Sequence, residues 1–258
     1  MNALIFAAGL GTRLKPLTDT LPKALVPIAG KPLLQWQIER LRAAGITNIV
    51  VNVHHFADKI IEAIQTNEGW GCSVQVSDER DCLLETGGGL RKAKGLLLRS
   101  DDDRTPILAC NVDILSNIDI PALCAAYDPQ TMGALVVSER QTQRYLLFDD
   151  RQTLRGWTNI ATGELRPTSL RGQSSFQRLA FSGMQLLNPA IFDLLDKMAA
   201  EKGEKFSLID LYLSICEANL NREQPFTVLK AFVPQDYRMM DVGKIDQIEE
   251  AERFAQGL

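Results

Sequence analysis

The sequence predicts an α/β fold: a parallel sheet with helices on both faces. Two observations carry that expectation. Short apolar runs alternate with segments of helical periodicity through the first 140 residues. The composition, 45% apolar and 23% charged over 258 residues, holds enough apolar surface for a full core and excludes disorder for the bulk of the chain.

Taken in order, Leu4 to Ala7 reads as a buried strand ending in a glycine loop. Pro32 to Ala44 reads as a helix, with proline near its first turn, apolar residues at Leu33, Leu34, Ile38 and Leu41, and Gly45 as its stop. Asn48 to Val53 is a strand, Ala57 to Gln65 a helix with Ile60, Ile61 and Ile64 inward, Ser73 to Val76 a strand, and Leu90 to Leu98 a helix. Pro106 to Cys110 is a strand, Ile120 to Tyr127 a helix and Ala134 to Ser138 a strand. In such sheets ligands bind beyond the carboxyl ends of the strands, so those loops are where chemistry is expected. The second half has another rhythm. Tyr145 to Phe148 and Leu154 to Thr158 form a hairpin around Asp149-Asp150-Arg151, and residues 159–178 read as loop or irregular hairpin. Leu179 to Leu187 is a strand, and Asn188-Pro189 opens a helix to about Ala200. Ser207 to Leu220 is a helix whose opening Ser207-Leu208-Ile209-Asp210 fits a capping box. Phe226 to Val233 and Tyr237 to Met240 are strands, and Ile245 to Phe254 a closing helix. With no linker or repeat, one domain over residues 1–258 is expected.

Lysine and arginine number 28 and aspartate and glutamate 32, for a net charge of −4. A mildly acidic chain has no electrostatic footprint for nucleic acid or an anionic membrane, so any phosphate must be held by a local cluster. Five cysteines, at 72, 82, 110, 124 and 216, include no C-x-x-C pair and read as reduced, mostly buried thiols. The start Met1-Asn2-Ala3 lacks the basic and apolar stretches of a signal peptide, and no run approaches the ~18 apolar residues of a spanning helix; a cytoplasmic location is expected.

The strongest motif follows the first strand: Ala7-Ala8-Gly9-Leu10-Gly11-Thr12-Arg13-Leu14-Lys15-Pro16-Leu17-Thr18. Two glycines one residue apart let backbone N–H groups approach a phosphate. A dinucleotide fingerprint needs a third glycine where Leu14 stands, and a Walker A loop fails because Gly30-Lys31 precedes Pro32. Arg13 supplies a planar donor for phosphate oxygens, and Leu21-Pro22-Lys23 adds a second cation. The bland alternative is a strand-to-helix turn followed by solvated cations.

G-x-G-T-R-x-x-P-x-T, then P-K, then G-K-P resembles the signature of the sugar-1-phosphate nucleotidylyltransferases, most strongly over residues 3–115. The resemblance implies an open, mixed, mostly parallel sheet of Rossmann-like type with an embedded sugar-binding region: a nucleotide-binding half over 1–140 and a sugar-binding half over 141–258. It implies attack by a sugar-1-phosphate oxygen on the α-phosphorus of a nucleoside triphosphate (NTP), releasing pyrophosphate. The same resemblance sets Gly9, Gly11 and Thr12 around the triphosphate, Arg13 on the departing pyrophosphate, and Lys23 between the α-phosphate and the incoming phosphate. It also implies Mg2+ on Asp113, in Cys110-Asn111-Val112-Asp113, and on Asp241, in Met240-Asp241-Val242-Gly243. Val112 stands where glycine is usual, and each aspartate has the alternative of capping the next element.

Leu84-Glu85-Thr86-Gly87-Gly88-Gly89, before the helix at Leu90, most resembles the base-reading loop of N-acetylmuramate-1-phosphate uridylyltransferases; the alternative is a flexible turn with Glu85 as a surface charge. Phe181-Ser182-Gly183-Met184 resembles a sugar-contacting segment, while the E-K-P upstream of it is missing and Glu164-Leu165-Arg166-Pro167 is a poor substitute. The expected substrate-binding set is therefore Ala8, Gly9, Gly11, Thr12, Glu85, Gly87, Asn111 and Gly183. Trp157 and Asn159 could line a sugar pocket or pack; His54-His55 points to opposite faces and reads as structural; Asp101-Asp102-Asp103 reads as a solvated loop. UTP with N-acetylmuramate-1-phosphate is the first substrate expectation, and GTP with mannose-1-phosphate or another hexose- or heptose-1-phosphate the second. A non-catalytic sensing paralogue would be expected to lose Arg13, Lys23 or an aspartate, and all four are present. No hexapeptide repeats announce a fused β-helix acyltransferase domain.

Overall fold

The computed structural model of the chain describes residues 1–100, 103–172, 175–219 and 227–258. The solvated loop expected at Asp101 and Asp102, the end of the helix expected to reach Leu220 and the start of the strand expected at Phe226 lie outside the described residues. The first half holds strands β1 (Asn2–Phe6), β2 (Pro27–Ile28), β3 (Lys31–Pro32), β4 (Asn48–Val53), β5 (Ser73–Asp78), β6 (Ile107–Asn111), β7 (Ile114–Ser116) and β8 (Gly133–Ser138). Helices α1 (Leu33–Ala43), α2 (Ala57–Thr66), α3 (Glu85–Lys92), α4 (Lys94–Leu97) and α5 (Ile120–Ala125) lie between them. The second half adds β9 (Arg144–Phe148), β10 (Leu154–Asn159), β11 (Glu164–Arg166), β12 (Gln177–Leu187), α6 (Ile191–Lys202), α7 (Leu208–Ala218), β13 (Leu229–Phe232), β14 (Met239–Asp241) and α8 (Ile248–Ala255).

One sheet of ten strands organises the molecule. Its centre runs β5-β4-β1-β6-β12-β8-β13, parallel throughout except for β12, which runs antiparallel to both β6 and β8. The first residues of β12 pair instead with β9, which carries β10 and β11 outward. The mixed, mostly parallel sheet expected from the sequence is thus present. Strand residues alternate between its two faces. Ala3, Ile5, Val51, Val53, Leu108 and Cys110 pack with α1, α2, α5 and α8 on one side. Leu4, Phe6, Val50, Ile107 and Ala109 pack with α3, α4, α6 and α7 on the other. Both faces being covered explains why β1, β4 and β6 read as unbroken apolar runs and not as alternation.

Several boundaries differ from the sequence expectation. The closing helix splits into a 3-10 turn at Ile245–Gln247 and α8. Ser207 caps α7 by accepting from the Asp210 N–H at 3.1 Å, and its hydroxyl donates to Asp210 Oδ2 at 2.7 Å in place of the reciprocal bond of a capping box. The cysteines are all free, yet only Cys110 and Cys216 are buried and Cys82 is exposed. Among the described residues no helix is long and apolar enough to cross a membrane.

The main correction concerns Gly87, Gly88 and Gly89, which are not a loop before a helix but lie inside α3. A Cβ on Gly87 would sit 2.8 Å from the Phe206 carbonyl oxygen, and one on Gly88 2.1 Å from that of Glu204. The glycines let α3 pass against the backbone of residues 204–206, which precedes α7. Substituting Gly88→Ala forces that contact apart, and such overpacking typically costs about 1–3 kcal/mol. Chemical denaturation should show a lowered midpoint; a midpoint equal to wild type would mean that residues 204–206 yield freely.

Candidate active site

The parallel strands β1, β4 and β6 end in register, Phe6 beside Asn52 and Asn111. The loops leaving them open one cavity of about 540 Å3. Its lining includes Ala8, Gly9, Gly11, Thr12, Arg13, Lys23, Glu85, Asn111 and Asp113 from the expected set, with Asn52, Thr86, Ser207 and Gly243 in addition.

The glycine loop is shaped by two needs. Gly11 has φ +65°, and a Cβ there would stand 3.0 Å from both Lys23 Cβ and Thr18 Cγ2. Its carbonyl accepts from the Thr18 hydroxyl at 2.8 Å and from the Leu14 N–H at 2.9 Å, tying the loop to the 3-10 turn Thr12–Leu14. Gly9 has no atom within 4 Å of the place its Cβ would take. Ala7 and Ala8 donate their N–H groups to Asn52 Oδ1 at 2.7 and 3.3 Å, so Ala8 lines the cavity without offering a donor to it. The N–H groups of Gly9, Leu10 and Gly11 have no partner among the described residues and are the donors left for a phosphate.

Lys23 is buried, and its ammonium pairs with Asp113 Oδ2. Asp113 lies in the turn between β6 and β7. Asp241 reaches it through the β14–β7 pairing, which sets Asp241 opposite Ile114, and through the Val242 N–H bond to the Asp113 carbonyl at 2.9 Å. The two aspartates, far apart in sequence, are thereby neighbours. Asp241 keeps solvent-exposed surface; partial desolvation by the chain around it first, and the Asp113 charge second, push its carboxyl above the usual carboxylate range, while Lys23, Arg13 and Arg140 pull it down. Gly243 leaves room for this convergence: a Cβ there would lie 2.9 Å from Asp241 Oδ1 and 3.0 Å from Arg13 Nη2.

On the opposite wall Glu85 opens α3 with φ +61°, exposed to solvent. Thr86 accepts from the Leu208 N–H at 2.9 Å. Gly87 departs from the expected role. Its N–H donates to the Phe206 carbonyl at 2.9 Å, so it packs α3 and offers no donor to a base. Gly183 is not among the cavity-lining residues. It has φ +70° at the register shift of β12, where a Cβ would stand 2.9 Å from Asn111 Nδ2. Asn111, which it abuts, does line the cavity. Trp157 is half-buried against the second core cluster, and Asn159 accepts from the Ala161 N–H at 3.1 Å in a turn.

Two polar residues that the sequence reading passed over organise this wall. Asn52 is 2% exposed and Glu79 0%. Asn52 Nδ2 donates to Glu79 Oε1 at 2.7 Å, and the Leu84 N–H donates to Glu79 Oε2 at 3.2 Å. Burial pushes the Glu79 carboxyl up against these two bonds, which pull it down. His54 Nδ1 lies 2.7 Å from the Glu79 carbonyl oxygen; because a carbonyl only accepts, Nδ1 carries the proton and His54 is structural.

A family model described as "Nucleotidyl transferase" matches residues 2–148. The N-acetylmuramate alpha-1-phosphate uridylyltransferase of Neisseria meningitidis serogroup B is 31% identical over 256 residues, 99% of this chain and 98% of that protein. The enzyme of the same name from Caulobacter vibrioides is 39% identical over 147 residues, 55% of this chain and 59% of that protein. A UDP-glucose pyrophosphorylase solved with UDP-glucose shares the fold at a TM-score of 0.70 and 17% identity, over 99% of this chain and 98% of that one.

The raised Asp241 carboxyl has a consequence for stability. Its folded pKa lies above the unfolded value of about 3.9, so the folded state binds more protons between the two, and stability falls as pH rises through that window. With a chelator present, Asp241→Asn should therefore raise the thermal midpoint at pH 7, and the gain should vanish below about pH 4. A midpoint at pH 7 equal to or below wild type would show that the Asp241 carboxyl is not held above its unfolded value.

Proposed function

The chain belongs to the nucleotidyl transferase family, and from that premise we propose that it joins a nucleoside triphosphate to a sugar-1-phosphate, releasing pyrophosphate, with UTP and N-acetylmuramate-1-phosphate as its substrates. One observation carries the reaction class: Arg13, Lys23 and Asp113 meet at a single cavity, with Asp241 beside Asp113. The names of the two relatives support the choice of base and sugar.

The triphosphate lies along the glycine loop, its oxygens on the free N–H groups of Gly9, Leu10 and Gly11. Arg13, exposed at the loop's end, binds the β- and γ-phosphates that depart together. Lys23, projecting from the turn after the loop, stands between donor and acceptor phosphates. An acceptor phosphate oxygen attacks the α-phosphorus in line, a new P–O bond forms as the α–β bridge breaks, and the electron pair leaves with pyrophosphate. No side chain needs to remove a proton, because the acceptor is already anionic. The chain's task is to position the groups and to offset charge.

Two neighbouring carboxylates that repel each other are a donor set suited to a hard divalent cation. Among the described residues no cluster of three or more His, Cys, Asp or Glu could hold a metal alone, so substrate phosphates would complete the shell. Asp113 and Asp241 would hold magnesium, which supplies Lewis-acid neutralisation of the phosphate oxygens when bound.

Asp113→Asn removes a cation ligand and the counter-charge of Lys23 together. Pyrophosphate release should fall by at least ~100-fold while the fold persists; wild-type turnover at low magnesium would refute the assignment. The substrate choice is tested by competition between UTP and GTP at equal concentration, with N-acetylmuramate-1-phosphate and mannose-1-phosphate both present. UDP-N-acetylmuramate should be the main product. A GDP-sugar as main product would overturn the choice of base and sugar and leave the reaction class standing.

A further inference from the structure

Glu79 is a carboxylate with no exposed surface, at the end of β5, and it touches neither the cavity nor a cation directly. Its hydrogen bonds have a forced direction. Asn52 Oδ1 is fixed as the acceptor of the Ala7 and Ala8 N–H groups, so its Nδ2 must face Glu79 as a donor. The Leu84 N–H faces the other carboxylate oxygen, also as a donor. Position 79 must therefore present two acceptors, which a carboxylate does and an amide does not. Gly89 completes the arrangement. A Cβ there would lie 2.7 Å from Glu79 Oε1 and 2.9 Å from Asn52 Nδ2, so α3 reaches the pair only through a glycine.

The two ends of this chain of bonds are the two walls of the cavity. Asn52 holds Ala7 and Ala8, which lead into Gly9 and Gly11; Leu84 leads into Glu85 and Thr86. We propose that Glu79 is a positioning residue for the donor nucleotide: it holds the phosphate wall and the base wall at one spacing, so that a triphosphate and its base are bound together. The proposal rests on the reading of this cavity as the triphosphate site. In the proposed function the acceptor phosphate binds at Lys23 beside Asp113, and among the described residues neither Asp113 nor Asp241 has a hydrogen bond to this network, so the effect is selective for the donor.

The test compares wild type with Glu79→Gln, Asn52→Asp/Glu79→Gln and Glu79→Asp in the full chain, with magnesium. Calorimetry gives the Kd of whichever of UTP and GTP wild type binds more tightly, kinetics the KM of the sugar-1-phosphate, and scanning the thermal midpoint. In Glu79→Gln one amide N–H meets another donor, and triphosphate binding should weaken by roughly 5- to 100-fold with the sugar-1-phosphate KM unchanged. The double variant reverses donor and acceptor across the same contact at unchanged net charge. It should recover the thermal midpoint lost in Glu79→Gln, while the carboxylate it places at the cavity-lining position 52 itself opposes a triphosphate. Wild-type triphosphate affinity in Glu79→Gln, equal losses for both substrates, or no recovery of the midpoint in the double variant would each overturn the proposal. If Glu79→Gln does not fold, Glu79→Asp, which keeps two acceptors on a shorter stem, should show the same donor-selective weakening; unaltered triphosphate affinity there overturns it as well. Wild type that binds neither triphosphate would instead refute the donor-site reading itself.

Discussion

The parallel pairing of β1 with β4 and β6 is the constraint on which the rest depends. Parallel strands in register deliver their carboxyl ends to one edge, and every loop that leaves that edge faces the same space. The glycine loop, Asn52 and the Asn111–Asp113 turn are neighbours for that reason. The adjoining strand β5 brings Glu79 to the same edge through its pairing with β4. The reversed strand β12 then lets the second half of the chain return, and the short β14–β7 ladder carries Asp241 to Asp113.

Charges of both signs crowd this edge, and one carboxyl there is held out of its usual range. Two aspartates are held close enough for one to raise the other, and the cations around them leave Asp241 elevated. Lys23 sits buried against Asp113, and Arg13 stands exposed beyond it. Left to folding alone, such a cluster would be relieved by an amide or an apolar side chain. Under the proposed function the cluster is completed by a polyanion and a cation, whose charges offset those that the chain leaves unbalanced.

Much of this was legible in the sequence, and the part that was not has a physical reason. The G-x-G loop with Arg13 and the turn carrying Asp113 follow apolar strands, where the fold class directs attention, whereas Lys23 and Asp241 are singled out by the family resemblance. Gly87, Gly88 and Gly89 were misread because glycine signals a backbone need without saying which. The need here was close passage of a helix against the backbone of residues 204–206, not a loop open to a ligand. Gly183 is placed in a sugar-contacting segment by resemblance, and the structure adds a backbone reason for glycine there, a φ of +70° with Asn111 close behind it. Asn52 and Glu79 carried a signal that went unused. An asparagine inside Asn48-Ile49-Val50-Val51-Asn52-Val53, a strand whose apolar residues serve both faces, is buried and must be hydrogen-bonded. Which partner satisfies it is a tertiary fact that spacing does not encode.

The net charge of −4 frames the last step. A chain that is anionic overall offers a triphosphate no long-range attraction, so affinity has to come from contacts within the cavity. Screening acts weakly on charges that are partly buried and strongly on those in solvent. Lys23, held in the protein against Asp113, is of the first kind, and Arg13, exposed at the loop's end, is of the second. Under the proposed function, added salt therefore weakens the hold of Arg13 on the leaving pyrophosphate more than the alignment by Lys23 at the α-phosphorus. Backbone donors at Gly9, Leu10 and Gly11 carry no net charge and lose little to salt, but they act only if the loop is already in place. Asn52 puts it there by taking the Ala7 and Ala8 donors, and Glu79 in turn fixes Asn52. Under the proposed function, a neutral, preset loop is thus the means by which an acidic protein grips a polyanion that the surrounding field would repel.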